Sequence, residues 1–124
     1  MKTEFEDLEI FQLAEKLADE IWKMVIEWDS FAKNTVGIQI VDAADGIGSN
    51  IAEGSGKGSY REFRRYVKIS RGSLYETKYW LRRTVARKLI SEKEIKIIKP
   101  LMDELLPKIN GFIKYLDGRI IKEK

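Results

Sequence analysis

The first chemical fact of this sequence is what it lacks: among 124 residues there is neither a histidine nor a cysteine. That removes the commonest general base, the commonest transition-metal ligands, the thiolate nucleophile and every Ser-His or Cys-His arrangement. Catalysis would rest on carboxylates, lysines, tyrosines or serines alone, and the chain is read as a non-enzyme. Without cysteine there is no disulfide framework, which fits a reducing cytoplasm. The glycine-rich stretches imitate nucleotide motifs without completing them. A P-loop needs G-x-x-x-x-G-K-[ST], whereas Gly56-Lys57 is followed by Gly58. Gly46-Ile47-Gly48 begins a dinucleotide fingerprint, yet Ile51 stands where the third glycine belongs. Gly54-Ser55-Gly56-Lys57-Gly58 therefore reads as a turn that ends a helix. Asp42, Asp45 and Glu53 do not make a di-iron centre, because such sites complete their carboxylates with Glu-x-x-His pairs. No metal and no cofactor are expected.

What remains is charge. The formal net charge of +3 conceals an uneven distribution: residues 55–90 carry 11 basic and 2 acidic side chains, a net +9, whereas 1–35 carry 4 and 9, and 36–54 carry 0 and 3. At 100° per residue, Arg61, Arg64, Arg65, Lys68, Arg71, Lys78, Arg82 and Arg83 fall within about 140° of helical arc, opposite an apolar seam, with Tyr75 and Tyr79 inside it. A basic stripe with interleaved aromatics suits a polyanion, since cations neutralise phosphates and exposed bases stack on tyrosine. The same stripe also suits pairing with the acidic surface of the first helix in the same or a neighbouring subunit, or simple solvation.

The elements that must carry these residues are helices. Four segments have helical period and none alternates as a strand does. Helix one, about 8–28, has its seam at Ile10, Ala14, Leu17, Ile21, Met24 and Trp28. A polar link Asp29–Thr35 follows, with Asn34 or Thr35 as a cap. Helix two, about 36–53, turns Ile40, Ala44, Ile47 and Ile51 inward and Asp42, Asp45, Ser49 and Glu53 outward; the small strip Ala44, Gly48, Ala52 admits a close neighbour. Helix three, about 59–88, opens on a capping box of Ser59 and Glu62 and runs its seam through Phe63, Val67, Ser70, Leu74, Thr77, Leu81 and Val85. Helix four, about 92–118, opens on a second box, Ser91 with Glu94, and keeps a heptad from Ile95 to Leu116. Pro100 and Pro107 project away from that heptad, so the helix is expected to curve without breaking. One domain over 1–124, an all-α antiparallel up-down-up-down four-helix bundle, is the natural architecture. The acidic start has no apolar signal core and no later run reaches the ~18 residues of a membrane span, so a chain neither exported nor embedded is expected. Trp22, Phe31, Tyr66, Ile69 and Trp80 lie on flanks that a small bundle covers only partly, and predict self-association.

Several short motifs resemble one family. Phe5-Glu6-Asp7-Leu8-Glu9, Gln39-Ile40 leading to Ala43-Ala44, Asn50-Ile51-Ala52-Glu53-Gly54-Ser55-Gly56, Glu62-Phe63, and Arg71-Gly72-Ser73-Leu74 with Glu76 are similar, in order, to the 23S rRNA intervening-sequence protein family of bacterial four-helix bundles. The motifs cover residue 5 to about 90; helix four agrees in pattern only. The resemblance implies an antiparallel bundle, homo-oligomeric rings with pentamers among them, and RNA as the presumed ligand of a family whose biochemical role is uncharacterised. A more distant similarity is to the accessory protein of a reverse transcriptase. Where the family commonly has a basic pair after Gln-Ile, this chain has Val41-Asp42, which moves the weight of any polyanion site onto helix three. The motif residues Asn50, Glu53, Gly54, Arg71, Gly72, Ser73 and Glu76 are read as structural, with a Glu53–Arg71 pair expected to tie helices two and three. The function expected is a non-catalytic oligomeric module that binds RNA or another nucleic acid through helix three. The alternative is a protein-assembly scaffold or accessory subunit whose charged faces meet between subunits.

Overall fold

The computed structural model describes residues 4–123; residues 1–3 and 124 of the expected domain lie outside the described residues. Among the described residues every element is helical. A 3-10 turn, Phe5–Asp7, leads into α1, Glu9–Val25. Helix α2 is Ile38–Ser55, α3 is Tyr60–Ala86 and α4 is Glu92–Lys122. Each helix packs on the next, and α4 closes on α1. The end of α1 meets the start of α2, where a side chain at Gly37 would strike Val25; the end of α2 meets the start of α3, where Gly54 abuts Phe63 and Tyr66. Arg64 near the start of α3 reaches Asp117 near the end of α4, and Lys108 on α4 reaches Glu9 at the start of α1. Neighbouring helices are therefore antiparallel.

Most of the expected seams of α1, α2 and α4 form the core: Ala14, Leu17, Ile21, Ile40, Ile47, Ile51, Leu105, Ile109 and Leu116 are fully buried, whereas Trp28, past the end of α1, and Ile95 and Phe112 are half-buried and α4 adds Ile113 and Ile120. Helix α4 is continuous through Pro100 and Pro107, both exposed, because an outward proline removes only a solvent-side hydrogen bond. Its Ser91–Glu94 capping box is complete, with Ser91 Oγ accepting from the Glu94 amide and Glu94 Oε1 accepting from the Ser91 amide.

Four local expectations are corrected. The link after α1 is not an open polar connection. Asp29 caps it by accepting from the Ala32 amide at 3.0 Å, and the chain enters a helical turn, Ser30–Ala32, then a π-helical turn, Lys33–Gly37, before α2. Thr35 does not cap; its hydroxyl donates to the Phe31 carbonyl, which keeps it inside the turn. At Ser59 only half a capping box forms: Ser59 Oγ accepts from the Glu62 amide, but the Glu62 carboxylate is taken by Arg65 Nε at 3.1 Å, one turn on. The α3 seam ends on Thr84, fully buried, and not on Val85, which is 49% exposed. The heptad step from Leu81 falls three residues on, and the Thr84 hydroxyl is satisfied by the Leu81 carbonyl. Of the flank residues, Trp22, Phe31 and Ile69 are exposed, whereas Trp80 packs on the core and Tyr66 is half-buried beneath Lys57 and Arg65.

Candidate nucleic-acid interface on α3

Helix α3 has three differently occupied sides. Towards α2 it packs tightly. The Ser70 hydroxyl, fully buried, donates to the Ile47 carbonyl at 2.7 Å. A Cβ at Gly46 would lie 3.0 Å from Ser73 Oγ, and one at Gly54 would lie 2.5 Å from Tyr66 Cβ. The Asn50 amide donates to the Gly46 carbonyl at 2.7 Å, tying itself back to its own helix at this seam. Gly54 and Ser73 thus belong to the joint between α2 and α3, and Asn50 is tied back beside it.

The remaining motif residues do not belong to the joint. The expected Glu53–Arg71 pair is absent, because the two side chains leave the seam on different faces. Glu53 is exposed and sits 3.7 Å from Lys57, one turn on in the chain, while Arg71 donates to Asn110 Oδ1 of α4 at 2.9 Å. Gly72 faces open space and Glu76 is exposed.

Towards α4 runs a polar ladder. Arg64 donates to Asp117 at 2.8 Å and Arg71 to Asn110 at 2.9 Å. Lys78 lines one cleft with Asp103, which is itself held by Lys99 at 2.6 Å. Each step of seven residues up α3 is matched by seven down α4, as antiparallel helices with heptad contacts require. Two cations of the predicted stripe are thereby bonded to the neighbouring helix, and Lys78 and Arg82 line the cleft beside Asp103. Asn110 and Asp117 were not singled out in the sequence, although the heptad spacing of Asp103, Asn110 and Asp117 against Arg64, Arg71 and Lys78 carried the signal.

The outward row is different. Arg61, Lys68, Tyr75 and Arg82 are spaced by seven on one exposed file of α3. Among the described residues, Arg61, Lys68, Arg82 and Arg83 form no ion pair. Arg65 is held by Glu62, whose hydrogen bond and charge raise the guanidinium's already high pKa. Tyr75 and Tyr79 are each 54% exposed; Tyr79 stacks edge-on against Trp80 and Tyr75 lies under Lys78. Glu76 is exposed, and Arg83, seven residues on, is half-buried. The ten predicted site residues therefore fall into an outward group and a ladder of Arg64, Arg71 and Lys78, with Arg82 of the outward group lining the same cleft as Lys78.

Among the described residues no group of histidine, cysteine or carboxylate side chains is arranged to hold a metal ion, and no helix is long and apolar enough to cross a membrane. Nothing in the arrangement indicates catalysis. The fold resembles a crystal structure of a protein of unknown function from the S23 ribosomal protein family of Bacteroides thetaiotaomicron VPI-5482, with a TM-score of 0.74 and 22% identity over 85% of this chain and 95% of that one. No curated protein matches the chain. The model of the 23S rRNA-intervening sequence protein family matches residues 6–111, extending past the motifs of α1 to α3 into α4. The chain belongs to the 23S rRNA-intervening sequence protein family.

Proposed function

We propose that this protein is a non-catalytic, cytoplasmic, oligomeric module that binds RNA through the outward face of α3. The observation that carries the reading is the file Arg61, Lys68, Tyr75, Arg82, whose three cations are exposed and unpaired among the described residues. Seven residues rise about 10 Å, so the file spans roughly 30 Å of helix. Cations at that spacing neutralise successive stretches of phosphate and release counterions, which gives affinity with little sequence preference. Tyr75 and Tyr79 supply faces on which unpaired bases stack, favouring single-stranded or looped RNA over duplex. Arg65 and Arg83 widen the positive field, while Arg64, Arg71 and Lys78 belong to the bundle.

The test replaces Arg61, Lys68 and Arg82 together by glutamate, leaving the ladder intact. RNA retention and molecular mass are measured on the same sample. Wild-type protein retaining RNA at low salt and a variant of unchanged mass releasing it are the expected results. Wild-type protein that holds no RNA at low salt, or a variant that holds it as well as wild type, overturns the reading. A second reading, assembly through charged faces as a scaffold or accessory subunit, is favoured by Ile69 and Val85, which are exposed on the same helix as the cations. It predicts that the same variant changes mass.

A further inference from the structure

The groove between the C-terminal half of α1 and the start of α2 plays no part in the α3 reading. Trp22, Val25, Ile26, Gly37, Ile38 and Val41 line it. Trp22 is 55% and Ile38 56% exposed, and here they form a continuous surface, not scattered single side chains. Gly37 keeps the two helices close at this end, since a Cβ there would come within 2.8 Å of Val25 Cγ1.

The two walls share a lengthwise order. Because the helices are antiparallel, Ile26 at the C-terminal cap of α1 and Trp22, Asp19 and Glu15 along it run beside Ile38, Asp42 and Asp45 on α2, each wall passing from apolar to acidic within about two turns. Partial burial and the nearby charges of Asp19 and Asp42 raise the pKa of the Asp45 carboxyl. Among the described residues Asp19, Asp42 and Asp45 form no ion pair. Lys33 and Asn34 stand at the apolar end.

We propose that this groove seats an amphipathic segment of a partner protein, one that carries apolar anchors at one end and lysine or arginine about two turns further on. Charge complementarity selects the cationic end, and the Trp22–Ile38 surface selects the apolar one. The outward file of α3 on a second copy lacks this order, since Arg61, Lys68, Tyr75 and Arg82 place cations at both ends and no apolar end.

Random peptides displayed and selected against the full chain test the proposal. Enriched peptides are expected to carry the apolar-then-cationic order. A synthesised enriched peptide should bind on the order of tenfold more weakly to Trp22→Glu, and likewise to Asp42→Lys/Asp45→Lys, with helicity unchanged. Ile38→Asp replaces Trp22→Glu if that variant loses helicity. No enrichment, enrichment of acidic or uncharged peptides, or equal binding to both variants overturns the proposal. So does a wild-type oligomer that dissociates on Trp22→Glu, which assigns the groove to a second copy.

Discussion

Two rows of cations share α3, and they are spent differently. Arg64 and Arg71 bond to Asp117 and Asn110 of α4, and Lys78 lines a cleft with Asp103, whereas Arg61, Lys68 and Arg82, three or four residues away along the same helix, are exposed and unpaired among the described residues, Arg82 at the rim of that cleft. A run of basic residues in a sequence is therefore not one feature. The neighbouring helix decides which cations serve the fold and which remain for a ligand.

The largest effect should come from the joint that holds both rows in place. Gly54→Ala puts a methyl group 2.5 Å from Tyr66 Cβ, an atom fixed to the α3 backbone, so the two helices must separate. A loss of about 3 kcal/mol in denaturant unfolding is expected; a loss below about 0.5 kcal/mol would show that the seam yields freely. Gly72 provides the opposite case on the outward side. With nothing near its absent side chain, Gly72→Ala should raise stability by about 0.5–1 kcal/mol. If that variant is stabilised yet loses RNA, the ligand approaches the backbone there.

The two rows themselves separate by a smaller margin. Arg64→Gln removes a half-exposed ion pair and should cost about 0.5 kcal/mol, while Arg61→Gln should leave the melting curve unchanged. Equal costs would erase the distinction between ladder and file. Smallest of all is Glu53→Ala. With the carboxylate exposed beside Lys57, stability should move by no more than about 0.5 kcal/mol. A loss of several kcal/mol would restore a buried pairing for Glu53.

Much of this fold was legible in the sequence, because heptad seams and capping side chains act locally. Ser91 and Glu94 close their box without help from the rest of the chain, and Pro100 and Pro107 announce their outward direction by their position in the turn. The errors arose where a side chain had a choice of partners. Glu62 served Arg65 in place of the Ser59 amide, Arg71 turned to Asn110 and not to Glu53, and Asp29 capped ahead of Asn34 or Thr35. Each choice depends on the register of two helices or on which group lies nearest in three dimensions. The seven-residue match of α3 to α4 was present in the numbers, but it acquires meaning only once the helices are known to be antiparallel neighbours. The Trp22–Ile38 groove was half visible, since Trp22 stood out as a flank residue while Ile38 became its neighbour only through the fold.

The decisive comparison is the salt dependence of single-stranded RNA binding in two triple variants. Replacing Arg61, Lys68 and Arg82 by glutamine should lower the slope of log affinity against log salt by about 2, at roughly 0.7 per lost phosphate contact. Replacing Arg64, Arg71 and Lys78 by glutamine should leave the slope nearly unchanged and lower the melting temperature instead. A slope that falls as much for the ladder as for the outward file would contradict the division of α3 on which the functional reading depends.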